Sequence, residues 1–173
     1  YPLVAHLAGA DCITVPAKNY GHDLTAMRKA ITNETRILFV ANPNNPTGTL
    51  ARKNEIIDLI TQTPNHLLII IDEAYFEFLD DPADLLPMIK QHPNLLLMRT
   101  FSKIYGLAGL RIGYGVGHAE LIGSLDKVRQ PFNLNAMAQS AALAALNDED
   151  HLESTRQNNT LGIEFFTEQL AKL

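Results

Sequence analysis

Leu67–Tyr75 reads LLIIIDEAY. Five consecutive apolar residues, three of them β-branched, are too few for an ordinary helix and show no polar alternation. This is the mark of a strand buried on both faces. Two further runs repeat the pattern, Ile37–Val40 (ILFV) and Leu95–Met98 (LLLM). Helical patterns separate them. Asp23 is a good N-cap for a helix with Leu24, Met27, Ala30 and Ile31 on one face. A second helix starts near Arg52 with Ile56, Leu59 and Ile60 as its buried stripe, and a short one covers Leu85–Gln91. Apolar strands alternating with helices predict an α/β fold, a mostly parallel sheet with helices on both faces in three layers.

The flanking stretches extend this reading. Asp11–Val15 (DCITV) is a β-prone run closed by Pro16, and Ile112–Val116 is a glycine-flanked β candidate. Ala119–Val128 is a helix with Leu121, Ile122, Leu125 and Val128 inward, and Gln130–Asn133 breaks it. Ala136–Leu146 is an alanine-rich helix. Asp148 caps a last helix running to Leu173, with Ile163, Phe166 and Leu170 on one face.

Composition narrows the function classes. The chain has 173 residues, 46% apolar and 19% charged, with a net charge of −5. That is ample for a core and gives no basic surface for nucleic acid. No apolar run approaches the ~20 residues of a membrane helix. Cys12 is the single cysteine and cannot form an internal disulfide, so a cytoplasmic setting is expected. The six histidines show no ligand spacing, so no metal is expected. The chain opens at Tyr1 and stops inside a helical pattern, which leads us to expect a fragment of a longer protein.

In open α/β sheets, ligands bind beyond the carboxyl ends of the strands. Three strand ends here carry reactive side chains. The first strand runs into Asn42–Gly48 (NPNNPTG), a rigid loop containing Asn45. The second delivers Asp72 and Tyr75. The third delivers Thr100–Arg111 (TFSKIYGLAGLR), with hydroxyls at Thr100 and Ser102, an amine at Lys103 and a guanidinium at Arg111. Each residue alone has a plain explanation: a turn-forming asparagine, a capping or metal-binding aspartate, a packing tyrosine, a solvated lysine and a surface arginine. Together they suit a phosphorylated aldehyde such as pyridoxal phosphate. Lys103 bonds the aldehyde, while Thr100, Ser102 and Arg111 hold the phosphate. Asp72 keeps the ring nitrogen protonated, and Asn45 and Tyr75 donate to the ring hydroxyl. Once released, the Lys103 amine is a general base.

These residues carry a resemblance to the large domain of the class I/II aminotransferases, the fold-type I pyridoxal-phosphate enzymes. Asn45-Pro46-Thr47-Gly48 matches the family's NPTG motif, whose asparagine contacts the ring hydroxyl. Asp72 and Tyr75 in DEAY match its ring-nitrogen aspartate and hydroxyl-binding tyrosine. Ser102-Lys103 matches its cofactor-bonding lysine. Arg111, with Thr100 and Ser102, matches its phosphate site. Within the family, the strings ANPNNPTG, DEAYFEF, RTFSK, GLAGLRIGY and VRQPFNLN are most similar to the histidinol-phosphate aminotransferase branch.

The resemblance implies pyridoxal 5'-phosphate as cofactor, with Lys103, Asp72 and Tyr75 as catalytic residues. It implies a reaction of histidinol phosphate with 2-oxoglutarate that gives imidazole acetol phosphate and glutamate. It also implies a mixed sheet with Ile112–Val116 as its one antiparallel strand, and a homodimer with shared active sites. Residues 1–147 would be part of the cofactor-binding large domain, and 148–173 a helix leading toward a small domain. Tyr1 would remain from the segment that lays an aromatic ring against the cofactor. The family's glycine-containing phosphate loop, partner-subunit tyrosine and carboxylate-binding arginine are not in this sequence, so the piece alone is expected to be inactive.

Other classes fit less of the chain. Another class I/II aminotransferase, acting on aromatic or other amino acids, uses the same residues. Leu67–Ala74 also resembles a Walker B strand, but no G-x-x-x-x-G-K-[ST] is present and the ATPase reading leaves Asn45–Gly48 and Lys103 unused. An aminotransferase-like sensor module would not need the lysine. Gly113, Gly115 and Gly117 are spaced G-x-G-x-G, not as a dinucleotide fingerprint.

Overall fold

A computed structural model describes residues 1–173. The three apolar runs form β1 (Ile37–Ala41), β2 (Leu68–Asp72) and β3 (Leu95–Thr100). They are parallel neighbours in chain order, and β4 (Gly113–Gly117) closes the sheet antiparallel to β3. Register aligns the strand ends: Ala41 lies beside Asp72, and Asp72 beside Met98. Because β1 to β3 run the same way, the loops that leave them share one rim. Two backbone bonds prolong the ladder into that rim, Asn42 N to Asp72 O at 2.9 Å and Glu73 N to Met98 O at 2.8 Å.

The sheet is held mainly from one side. Alternate strand residues Leu38, Val40, Ile69, Ile71, Leu95 and Leu97 meet Ile56, Leu59 and Ile60 of α3 (Lys53–Gln62). The expected stripe of that helix is therefore its buried face. Ile56 and Ile60 are fully enclosed, each burial being worth about 1.5–3 kcal/mol. The helix α2 (Leu24–Lys29) packs beside α3, and the Asp23 carboxylate caps it by accepting from Ala26 N at 2.9 Å. On the opposite face Ile70 and Leu96 are also buried.

A second, smaller cluster lies under the lysine stretch. Phe101, Ile104, Tyr105 and Ile112 pack on Ala138 and Ala142 of α5 (Ala136–Ala145). The alanines let the turn after Thr100 sit close to that helix. The remaining helices are α1 (Pro2–Leu7), α4 (Ala119–Val128) and α6 (Glu149–Leu170), the last capped by Asp148. No helix is long and apolar enough to cross a membrane.

Some expectations fail. Asp11–Val15 is not a strand, because β1 is the sheet's edge and no strand lies beyond it; Ile13 is exposed. Leu86–Lys90 is a 3-10 turn with proline in its first turn, not an α-helix. No residue of α4 is buried, and Val128 is 79% exposed. The helix α6 stops at Leu170, and its Ile163, Phe166 and Leu170 are exposed. The helix α1 was not expected from the sequence.

Candidate active site

The loop after β1 carries Asn45 and the turn after β2 carries Tyr75. The Asn45 amide Nδ2 donates to the Tyr75 hydroxyl at 3.1 Å across 30 residues of sequence. Asn42, buried beneath this loop, accepts from Ala51 N at 2.8 Å through Oδ1 and so anchors it. Lys103 lies above the same tyrosine: its Nζ is 5.0 Å from the ring centroid, an attractive cation–π position.

Asp72 ends β2 half-buried. Its Oδ1 accepts from Ala74 N at 3.0 Å, and its Oδ2 accepts from the Tyr1 hydroxyl. Burial raises its carboxyl above the usual carboxylate value of 3.8, while the Ala74 N–H and the Lys103 charge pull the other way. The Tyr1 ring stacks on Phe39 of β1, centroids 4.4 Å apart and planes 12° from parallel.

The third strand end supplies hydroxyls and a guanidinium. Thr100 Oγ1 accepts from Ser102 N at 3.0 Å. Gly106, at φ 71°, lets the chain turn back so that its N–H reaches the Lys103 carbonyl at 3.0 Å. Arg111 precedes β4 in the left-handed region, φ 54° and ψ 51°. Its Nη1 donates to Ala108 O at 2.9 Å, and its side chain is exposed. The pairing of Thr100 with Gly113 keeps Arg111 near the end of β3.

Behind this rim lies a buried ionic layer that the sequence did not reveal. Glu73, on the side of β2 opposite Asp72, accepts from Arg99 Nε at 2.8 Å, and the Arg99 guanidinium stands 3.7 Å over the Phe76 ring. Burial raises the Glu73 carboxyl, against the bond and charge of Arg99. Alternation along DEAYF hints at it: Asp72 and Glu73 must face opposite sides, so one is buried.

The sequence pattern of the class I and II aminotransferases matches residues 1–173. The chain belongs to that family. It is 49% identical to histidinol-phosphate aminotransferase 1 of Nitrosococcus oceani over 94% of this chain and 45% of that one. It is 46% identical to histidinol-phosphate aminotransferase 2 of Ralstonia nicotianae over 100% and 47%. The chain thus spans about half the length of the curated aminotransferases it matches. Among solved structures, it overlays the Sinorhizobium meliloti histidinol-phosphate aminotransferase in complex with pyridoxal-5'-phosphate with a TM-score of 0.81, at 35% identity. That match covers 91% of this chain and 44% of that one. A structure from Erwinia carotovora, described as a putative histidinol-phosphate aminotransferase, gives a TM-score of 0.91 at 31% identity, over 99% and 52%.

Within this family member, Asn45, Tyr75, Asp72 and Lys103 stand on one rim. Tyr1 reaches the same rim, with its ring on Phe39 and its hydroxyl on Asp72.

Proposed function

We propose that this chain is the cofactor-binding half of a histidinol-phosphate aminotransferase that moves the amino group of histidinol phosphate to 2-oxoglutarate. The observation that carries the reading is the meeting of Asn45, Tyr75, Asp72 and Lys103 from three separate strand ends. The donor set fits pyridoxal phosphate. Asp72 offers a half-buried carboxylate for the ring nitrogen, Asn45 and Tyr75 offer N–H and O–H donors for the ring hydroxyl, and Lys103 offers an amine. Thr100, Ser102 and Arg111 offer hydroxyls and a guanidinium for the phosphate.

Bound pyridoxal phosphate supplies an electron sink for the bond broken at the substrate carbon. The protein's own groups do the rest. Burial raises the Asp72 carboxyl, and the Ala74 N–H and the Lys103 charge oppose that rise; as a carboxylate it would stabilise positive charge beside it. The Lys103 Nζ takes a proton and returns it at a neighbouring atom, its position limited by the Tyr75 ring. Asn45 holds the Tyr75 hydroxyl in one orientation, so the phenol donates in a fixed direction.

The histidinol-phosphate assignment is supported by relatives at 49% and 46% identity, and extends to a cytoplasmic homodimer with shared active sites. Residues 148–173 then begin the passage from large to small domain. The test is an amine-donor panel on the full-length protein with 2-oxoglutarate as acceptor. Histidinol phosphate should exceed aromatic amino acids in kcat/KM by at least tenfold, a difference of about 1.4 kcal/mol. Equal or greater use of an aromatic amino acid would reassign the substrate while leaving the fold-level reading intact.

A further inference from the structure

Helix α6 touches both segments that carry the reactive side chains. His151, in its first turn, places Nε2 at 3.0 Å from the carbonyl oxygen of Ile104, the residue after Lys103. Arg156 donates Nε to the carbonyl oxygen of Glu77, two residues after Tyr75, at 2.7 Å. The contacts span 47 and 79 residues of sequence. No backbone N–H reaches either carbonyl, and Ile104 and Glu77 are both buried. A buried carbonyl needs a partner, so these side chains satisfy groups that would otherwise stay unpaired.

Each contact has local support. Leu152, between the two, packs on the cluster that contains Phe101, Ile104 and Tyr105. A methyl group added at Gly106 would come within 3.7 Å of the His151 ring, so the two segments pass close to each other. Arg156 Nη1 is 3.8 Å from Glu153 on its own helix. The Lys103 and Tyr75 side chains, by contrast, touch each other only through a 5.0 Å cation–π approach. That approach does little to fix the two backbones relative to one another, and α6 provides a rigid bar across both.

We infer that His151 and Arg156 are positioning residues: they strap the Lys103 turn and the turn after Tyr75 to one helix, and so set the spacing of the amine and the phenol. The inference rests on the roles given to Lys103 and Tyr75 above. Removing either hydrogen bond frees one segment relative to the other. A displacement near 1 Å at reacting groups can cost on the order of 100-fold in rate.

The test uses the full-length enzyme as parent, His151→Ala, Arg156→Ala and Arg156→Lys, with Leu152→Val as a variant that loosens apolar packing alone. Two readouts are taken. Amide hydrogen exchange is followed on cofactor-free protein over Lys103–Leu107 and Phe76–Leu79. The midpoint pH of the visible absorbance change is followed after pyridoxal phosphate is added. His151→Ala should speed exchange about tenfold in the first segment alone, and Arg156→Ala in the second alone. Both should shift the absorbance midpoint, Arg156→Lys should recover part of each effect, and Leu152→Val should do neither. Unchanged exchange, an unmoved midpoint in both alanine variants, or equal effects in Leu152→Val would overturn the strap. A parent that stays colourless with added pyridoxal phosphate would overturn the cofactor reading and the strap together, whereas a coloured parent with unmoved variants overturns the strap only.

Discussion

The Asn45 amide holds the Tyr75 hydroxyl at 3.1 Å, although the two sit on different loops that leave neighbouring parallel strands. Their meeting follows from register: Ala41 pairs with Asp72, so both loops start at the same height on the sheet. In the proposed site, the bond sets the direction in which the phenol donates.

Asn45→Ala and Tyr75→Phe should therefore be coupled. Each alone is expected to weaken pyridoxal-phosphate binding by about 1 kcal/mol, roughly fivefold in Kd. The double variant should lose less than the sum, because the second change removes a partner already gone. Equilibrium dialysis of the four proteins measures this. Strict additivity would show that the two side chains act separately.

Half-burial gives the Asp72 carboxylate a stability penalty. Burial raises its folded-state carboxyl above 3.8, so the folded chain holds its proton more tightly than the unfolded chain does. Stability then falls as pH rises from about the unfolded value through the raised one, and the loss is complete above it. Asp72→Asn keeps an acceptor for Ala74 N–H and removes the charge. In the cofactor-free protein it should melt higher than parent at pH 7, with the gap closing in acid, while turnover of the loaded enzyme falls steeply. Thermal melts at pH 7 and near pH 4 decide it. A gap that widens in acid would mean that the carboxylate stabilises the fold.

Arg111→Ala should raise the cofactor Kd more than it lowers the rate at saturating cofactor. The guanidinium bonds only the Ala108 carbonyl and is otherwise free for a phosphate. Titration of cofactor at fixed substrate separates the two effects, and equal affinity in variant and parent would remove the phosphate role.

Gly113→Ala tests how β4 is seated. A methyl group there would lie 2.8 Å from the Arg99 carbonyl oxygen, closer than real contacts allow. The strand must shift away from Thr100, at a cost of about 1–3 kcal/mol. Urea unfolding should show that loss. An unchanged midpoint would mean that β4 pairs more loosely than the register indicates.

How much of this was legible in the sequence depends on the range of the interaction. The runs at Leu67 and Leu95 announced their strands because burial excludes polar residues on either face; the run at Ile37 is a strand too, but at the sheet's edge, with Ile37 exposed rather than buried on both faces as expected. Asp23 and Asp148 cap their helices within three residues, a local effect, whereas the Asn135 cap was not read from the sequence. Asp11–Val15 misled because β propensity becomes a strand only beside a partner, and its nearest pairing is the isolated Lys18–Gly21 bridge. Periodicity marked an apolar face on α4 and α6 but carried no information on what covers it. Of the site, the motifs announced Asn45, Asp72, Tyr75 and Lys103. The contacts of Tyr1, Arg99, His151 and Arg156 are made across the fold by side chains with no spacing rule, and only coordinates reveal them.

Lys103 is the amine that would bond the cofactor in the proposed site. Full-length protein loaded with pyridoxal phosphate, reduced with borohydride and digested for mass spectrometry, should carry the pyridoxyl group on the peptide containing Lys103. Lys103→Ala should keep its fold and carry none. A label on any other lysine of the parent, or an undiminished label in Lys103→Ala, would contradict the account.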